Sequence, residues 1–210
     1  MKAAVAGMRA SRVKWILVAF VVVAAVVVSV SFVLTRTGSL APGDELKRDP
    51  APYGWHGSKA VGSVFTDGFN YLFLTPNARG DIRLISARPL MDESGAVKVV
   101  GVRARVVPDM LPRNFTYSSV QDSPGFPSGH PDLAGAVPVN ELVIRPSSAG
   151  QDTRWVEFQI GYEVVAEGRS ARRGVEVTYE YDGSRHVTVI PSYLAICAPV
   201  TAECQPEHDE

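Results

Sequence analysis

Cysteine is scarce in this chain: Cys197 and Cys204, both in "CAPVTAEC", are the only two in 210 residues. With His208 they supply too few ligands for a zinc centre, so an envelope metal-binding role is a minor alternative and no cofactor is expected. No Cys follows the apolar run near the N-terminus, which excludes a lipoprotein anchor. A basic excess is missing as well. All 22 acidic residues follow Thr35, with 17 of the 21 basic ones, which leaves that portion five charges negative. This balance argues against nucleic acid as a partner and against electrostatic docking on anionic lipid. Internal repeats are absent, and no segment after residue 36 carries a helical period. There is no Gly-x-Ser-x-Gly elbow and no obvious carboxylate pair.

Charge is wholly absent from residues 15 to 35, "WILVAFVVVAAVVVSVSFVLT". About twenty helical residues rise about 30 Å, the depth of a bilayer's hydrocarbon core. Lys2, Arg9, Arg12 and Lys14 precede the run and only Arg36 follows closely. The predicted arrangement is a basic cytoplasmic segment over 1–14 and one transmembrane helix over 15–35. The C-terminal portion then lies outside the plasma membrane. A cleaved signal peptide is the competing reading, but the run exceeds the usual apolar region of about 7–15 residues. In an oxidising compartment Cys197 and Cys204 are predicted to form a disulfide that staples the last strand.

Residues 36–58, rich in Pro, Gly and charge, read as a linker, with Trp55 packing on the domain beyond it. From residue 59 to 204 the pattern is strand-like. "AVGSVFT" and "FNYLFLT" are short and rich in β-branched and aromatic residues. In "AVKVVGVRARVV", Val100, Val102, Ala104 and Val106 share a face opposite Arg103 and Arg105. In "TRWVEFQIGYEVVAEG", Val156, Phe158, Ile160, Tyr162 and Val164 oppose Glu157, Gln159 and Glu163. Period two of this length predicts strands with one buried and one wet face. About eight such strands make an all-β, antiparallel sandwich, and the acidic tail 205–210 lies beyond it.

The hairpin "GVEVTYEYDGSRHVTVI" admits two registers. A two-residue Asp182-Gly183 turn opposes Val177 with Thr188 and mixes the faces. A three-residue Tyr181–Gly183 loop opposes Val177 with Val187 and Val175 with Val189, so it is the predicted register. It leaves His186 on the polar face beside Thr178. Pro191 cannot donate to a ladder and predicts an edge or a bulge.

"FNYLFLTPNARGDIRLISARPL" and "GVEVTYEYDGSRHVTVIPSYLAIC" together resemble bacterial envelope proteins that carry one N-terminal anchor, a Pro-rich spacer and an immunoglobulin-like sandwich. The resemblance covers residues 59 to 200 by pattern and layout. It implies an immunoglobulin-like ectodomain, without the inter-sheet Cys pair and intervening strand Trp of antibody domains. It assigns no functional residue.

"FPSGHPD" is the most chemical-looking cluster. Pro127-Ser128-Gly129-His130 matches a short motif of the type 2 phosphatidic acid phosphatases, but the rest of that family's pattern is missing. Ser128, His130 and Asp132 lie too close in sequence for an oriented catalytic relay, so a hydrolase built on them is the second alternative. Residues 108–137 form a long Pro-rich interruption whose Phe115, Tyr117 and Phe126, with His130, either pin it to the sheet or meet a partner. The expected role is contact rather than catalysis, with a protein or cell-envelope component as partner.

Overall fold

The computed structural model describes residues 40–48, 53–107, 122–146 and 154–205. The expected membrane span, the basic segment before it, Phe115, Tyr117 and residues 206–210 fall outside these. Among the described residues no helix is long and apolar enough to cross a membrane.

Among the described residues twelve strands succeed one another in chain order: β1 Leu46–Arg48, β2 Tyr53–Ser58, β3 Val64–Leu74, β4 Ile82–Met91, β5 Val97–Val107, β6 Ser123–Pro124, β7 Val137–Pro138, β8 Val143–Ile144, β9 Trp155–Val164, β10 Gly168–Tyr181, β11 Ser184–Ile190 and β12 Ser192–Ala198. They form two sheets. The first runs β1-β3-β9-β5-β7 with β6 beside β3; the second runs β2-β12-β10-β4-β8 with β11 beside β10. Every pairing is antiparallel except β2 with β12. The core lies between the sheets. Leu72, Val156, Phe158, Ile160 and Tyr162 of the first meet Ile82, Leu84, Val175, Val177 and Leu194 of the second. The alternation read in β9 is therefore its core face. The expected all-β sandwich stands, with more strands than the eight expected.

The expected linker over 36–58 is corrected. β1 and β2 lie inside it, and Ala41 already bridges His186 in parallel. "LKR" and "YGWHGS" carry no apolar period; they become strands because β3 and β12 offer them an edge. Trp55 packs inward as predicted.

The hairpin register is also corrected. Tyr181 opposes Ser184, Val177 opposes Thr188, and Val175 opposes Ile190. Asp182 and Gly183 both have positive φ, 49° and 73°, the conformation of a type I′ turn. The mixed faces are tolerated because β11 reaches the core only at Ile190, which is 3 % exposed. His186 shares a face with Tyr179 rather than Thr178, and the two rings stack with centroids 5.4 Å apart.

Bulges account for the other departures. The two segments read as separate strands are one, β3, in which Gly68 and Phe69 oppose Gln159 alone. In β5 the register shifts between Val99 and Gly101, so Val100 is an extra residue and stays 38 % exposed. Val97 and Val99, then Val102 and Val106, pack on the core instead. Near Pro191 the partners of β10 slip. Arg172 opposes Leu194 while Val175 opposes Ile190, which is the irregularity expected at a proline.

Candidate functional site

Between the sheets lies a buried polar network. The β3 bulge turns Asp67 and Asn70, three apart, to one face. Arg172 of β10 donates from Nη1 to Asp67 Oδ2 at 2.5 Å and to the Tyr162 hydroxyl at 2.9 Å. Its Nη2 donates to Ser192 Oγ at 2.6 Å, and that hydroxyl donates to Asn70 Oδ1 at 2.6 Å. Trp55 Nε1 donates to Asp67 Oδ1 at 2.9 Å. Asn70 Nδ2 closes the ring on Asp67 Oδ2 at 3.0 Å. Burial raises the Tyr162 phenol well above its ordinary value, more than the adjacent Arg172 charge lowers it. Arg172, Asp67, Asn70 and Ser192 are all fully buried, so this is an inter-sheet tie rather than a cleft.

The described part of the Pro-rich interruption packs across the outer face of the first sheet. Gly101 and Gly161 are cross-strand partners, and the Phe126 ring fills the space that their side chains would occupy. Arg103 donates to Ala136 O from Nε at 2.9 Å and from Nη2 at 2.6 Å. Arg105 Nε donates to Glu157 Oε2 at 2.5 Å and its Nη1 to Ala134 O at 2.8 Å. Gln159 Nε2 reaches Leu133 O at 2.9 Å. The wet face expected of β9 is thus covered: Glu157 and Gln159 are each 1 % exposed. Phe126 is engaged in this packing. His130 Nδ1 accepts from the Asp132 amide at 3.2 Å, and the His130 amide donates to Ser128 Oγ at 3.0 Å. These bonds build the turn into the 3-10 segment Pro131–Leu133.

At the end of β12, Cys197 and Cys204 form the predicted disulfide, with Cα atoms 5.4 Å apart. Ser58 Oγ donates to Ala202 O at 2.5 Å and the Lys59 amide to Cys197 O at 2.8 Å, which ties the loop to β2. Among the described residues no three His, Cys, Asp or Glu side chains gather to hold a metal ion.

A groove of about 620 Å³ opens where β1 of one sheet faces β11 of the other. Leu46, Lys47 and Arg48 form one wall; Val187, Thr188 and Val189 form the other; Pro42 and Gly43 close one end. Beside it, the Tyr179 hydroxyl donates to Glu45 Oε2 at 3.0 Å. Gly43 lies so close to that hydroxyl that a Cβ there would collide with it. Burial, then the bond to Glu45, raises the Tyr179 phenol above its ordinary value. Sequence reasoning missed this groove. Its basic wall sits in a charged stretch with a single apolar residue, and nothing local marks Leu46 as a core residue.

No protein-family description and no curated protein matches the chain. Among solved structures it is similar to a family 123 glycoside hydrolase from Clostridium perfringens, at 9% identity and TM-score 0.37, over 71% of this chain and 24% of that one. It is also similar to the adhesin CfaE of enterotoxigenic E. coli, at 6% identity and TM-score 0.34, over 74% of this chain and 48% of that one. The chain spans less than half the length of either.

Proposed function

We propose that this protein is a non-enzymatic binding module: an immunoglobulin-like sandwich held outside the plasma membrane by a single helix over residues 15–35, with a cytoplasmic N-terminus. Its partner is a protein or another component of the envelope. The observation that carries this reading is the groove between β1 and β11, an open concavity with apolar and basic walls. The disulfide supports a compartment outside the cytoplasm. The uncharged run supports the anchor. A contact role is favoured over hydrolysis because Ser128 Oγ and His130 Nδ1 accept hydrogen bonds from their own turn. The immunoglobulin-like reading rests on two packed sheets, tied to each other by a buried polar pair, Arg172 and Asp67.

The test uses the full-length chain in its native cells. Recovery in carbonate-washed membranes is expected, with the C-terminal domain digested by external protease and an N-terminal tag protected. A photo-crosslinker at Val189 should capture a discrete partner that one at Asn140, on another edge, does not. Recovery from the cytosol, or identical products from both positions, would overturn the reading.

A further inference from the structure

We infer that the groove takes an extended acidic segment of a partner polypeptide, which adds as a strand to the free edge of β11. This rests on the binding-module reading and names the chemistry of the ligand.

The turn fixes which backbone groups are free. Because Tyr181 and Ser184 flank a two-residue loop, they exchange hydrogen bonds, as do alternate residues beyond them. The even-numbered residues of β11 therefore bond to β10, and Arg185, Val187 and Val189 direct their amides and carbonyls outward. The Val187 amide donates to Ala41 O at 3.2 Å, which agrees with that parity. Ala41 bridges His186 in parallel, so this edge already accepts a strand from the chain itself. At Pro42-Gly43 the chain turns away toward β1. Past that point the Val187 carbonyl and both backbone groups of Val189 face the groove with no partner among the described residues. Pro191, which has no amide hydrogen, ends the edge. The open stretch is short, a length suited to a recognition motif rather than to a whole sheet.

Charge selects the ligand. Lys47 and Arg48 are exposed on the facing wall, and neither forms an ion pair among the described residues. Among the described residues no acidic side chain lines the groove. Two acids beside the groove are engaged: Glu45 accepts from Tyr179 at 3.0 Å, and Glu176, opposite Val189, is held by Arg88 at 3.0 Å, while Asp44, next to Gly43, is exposed. Val187 and Val189 add apolar contact. The ligand that fits is an extended peptide alternating apolar and acidic residues, since alternate side chains of a strand point to opposite sides.

The experiment uses full-length protein in detergent micelles and a labelled peptide alternating Val and Glu, followed by fluorescence anisotropy and by hydrogen exchange at the Val189 amide. Saturable binding and slowed exchange at Val189 are expected. Lys47→Glu with Arg48→Glu should weaken binding about tenfold or more, the scale of two exposed ion pairs lost and their charge reversed. Val189→Pro removes the outward donor and leaves the bonds of Thr188 and Ile190 to β10 intact, so it should abolish the exchange signature. Equal affinity for a Val–Lys peptide, binding unchanged by the charge reversal, or unprotected exchange at Val189 would overturn the inference. The charge reversal alters only exposed side chains, so it decides the matter even where the proline variant fails to fold. Capture of a native partner through another face would remove this inference and leave the binding module standing.

Discussion

Arg172 Nη1 lies 2.5 Å from Asp67 Oδ2 with both side chains wholly buried, and this pair joins β10 of one sheet to β3 of the other. Two bulges make the meeting geometrically available. Without them Arg172 and Val175, or Asp67 and Asn70, could not share a face. Breaking a buried pair leaves one charge uncompensated, which costs more than the intact pair contributes. Arg172→Met alone, or Asp67→Asn alone, should therefore destabilise the domain by about 3–5 kcal/mol. The double variant should lose less than the sum, with a coupling above about 1 kcal/mol in urea unfolding. Additive losses would show that the two side chains act independently.

Stability should fall on the alkaline side. Tyr162 and Tyr179 both have folded pKa values raised above the ordinary 10.0, chiefly by burial. Above pH 10 the unfolded chain releases these protons and the folded chain retains them. The stabilisation is present in full below about pH 10 and is lost as pH rises toward the folded values. Tyr162→Phe should make the fall between pH 10 and 11 shallower, as measured by urea midpoints, although it removes a partner of Arg172. An unchanged slope would contradict the assignment.

Gly161→Ala should drive Phe126 out of its slot. A Cβ at Gly101 would lie 2.6 Å from the Phe126 ring, and one at Gly161 still closer. Overpacking of this kind costs about 1–3 kcal/mol. In a Phe126→Ala background the same change should be close to neutral. Limited proteolysis between residues 122 and 136 should accelerate in Gly161→Ala and not in wild type.

Reduction of the Cys197–Cys204 bond should lower stability by about 2 kcal/mol, the scale expected for so short a loop. Thermal melts with and without a reductant check this. The Cys197→Ser/Cys204→Ser variant should match the reduced protein. A larger loss would mean that the loop also holds β2 through Ser58 and Lys59.

Much of the architecture is legible along the chain because it depends on short-range alternation. Val156 through Val164 in β9 announce a strand with a buried face, and the structure buries those residues. The scarcity of helical periodicity announces an all-β body. The proximity of Cys197 and Cys204 announces their bond. The turn was also visible in Asp182-Gly183, but matching apolar faces favoured the wrong register. That criterion assumes a strand buried along its whole length, and β11 reaches the core only at Ile190.

What tertiary structure alone decided are the features set by residues distant in sequence. Glu157 and Gln159 read as wet because nothing in β9 reveals that the loop around Leu133 will cover them. Asp67, Asn70, Arg172 and Ser192 read as ordinary polar residues; bulges brought them together, and a bulge depends on the partner strand. Leu46 to Arg48 became a strand, and a groove wall, only because β3 presented an edge. Alternation determines which side of a strand is apolar, whereas register, bulges and edges depend on which strands come to lie side by side.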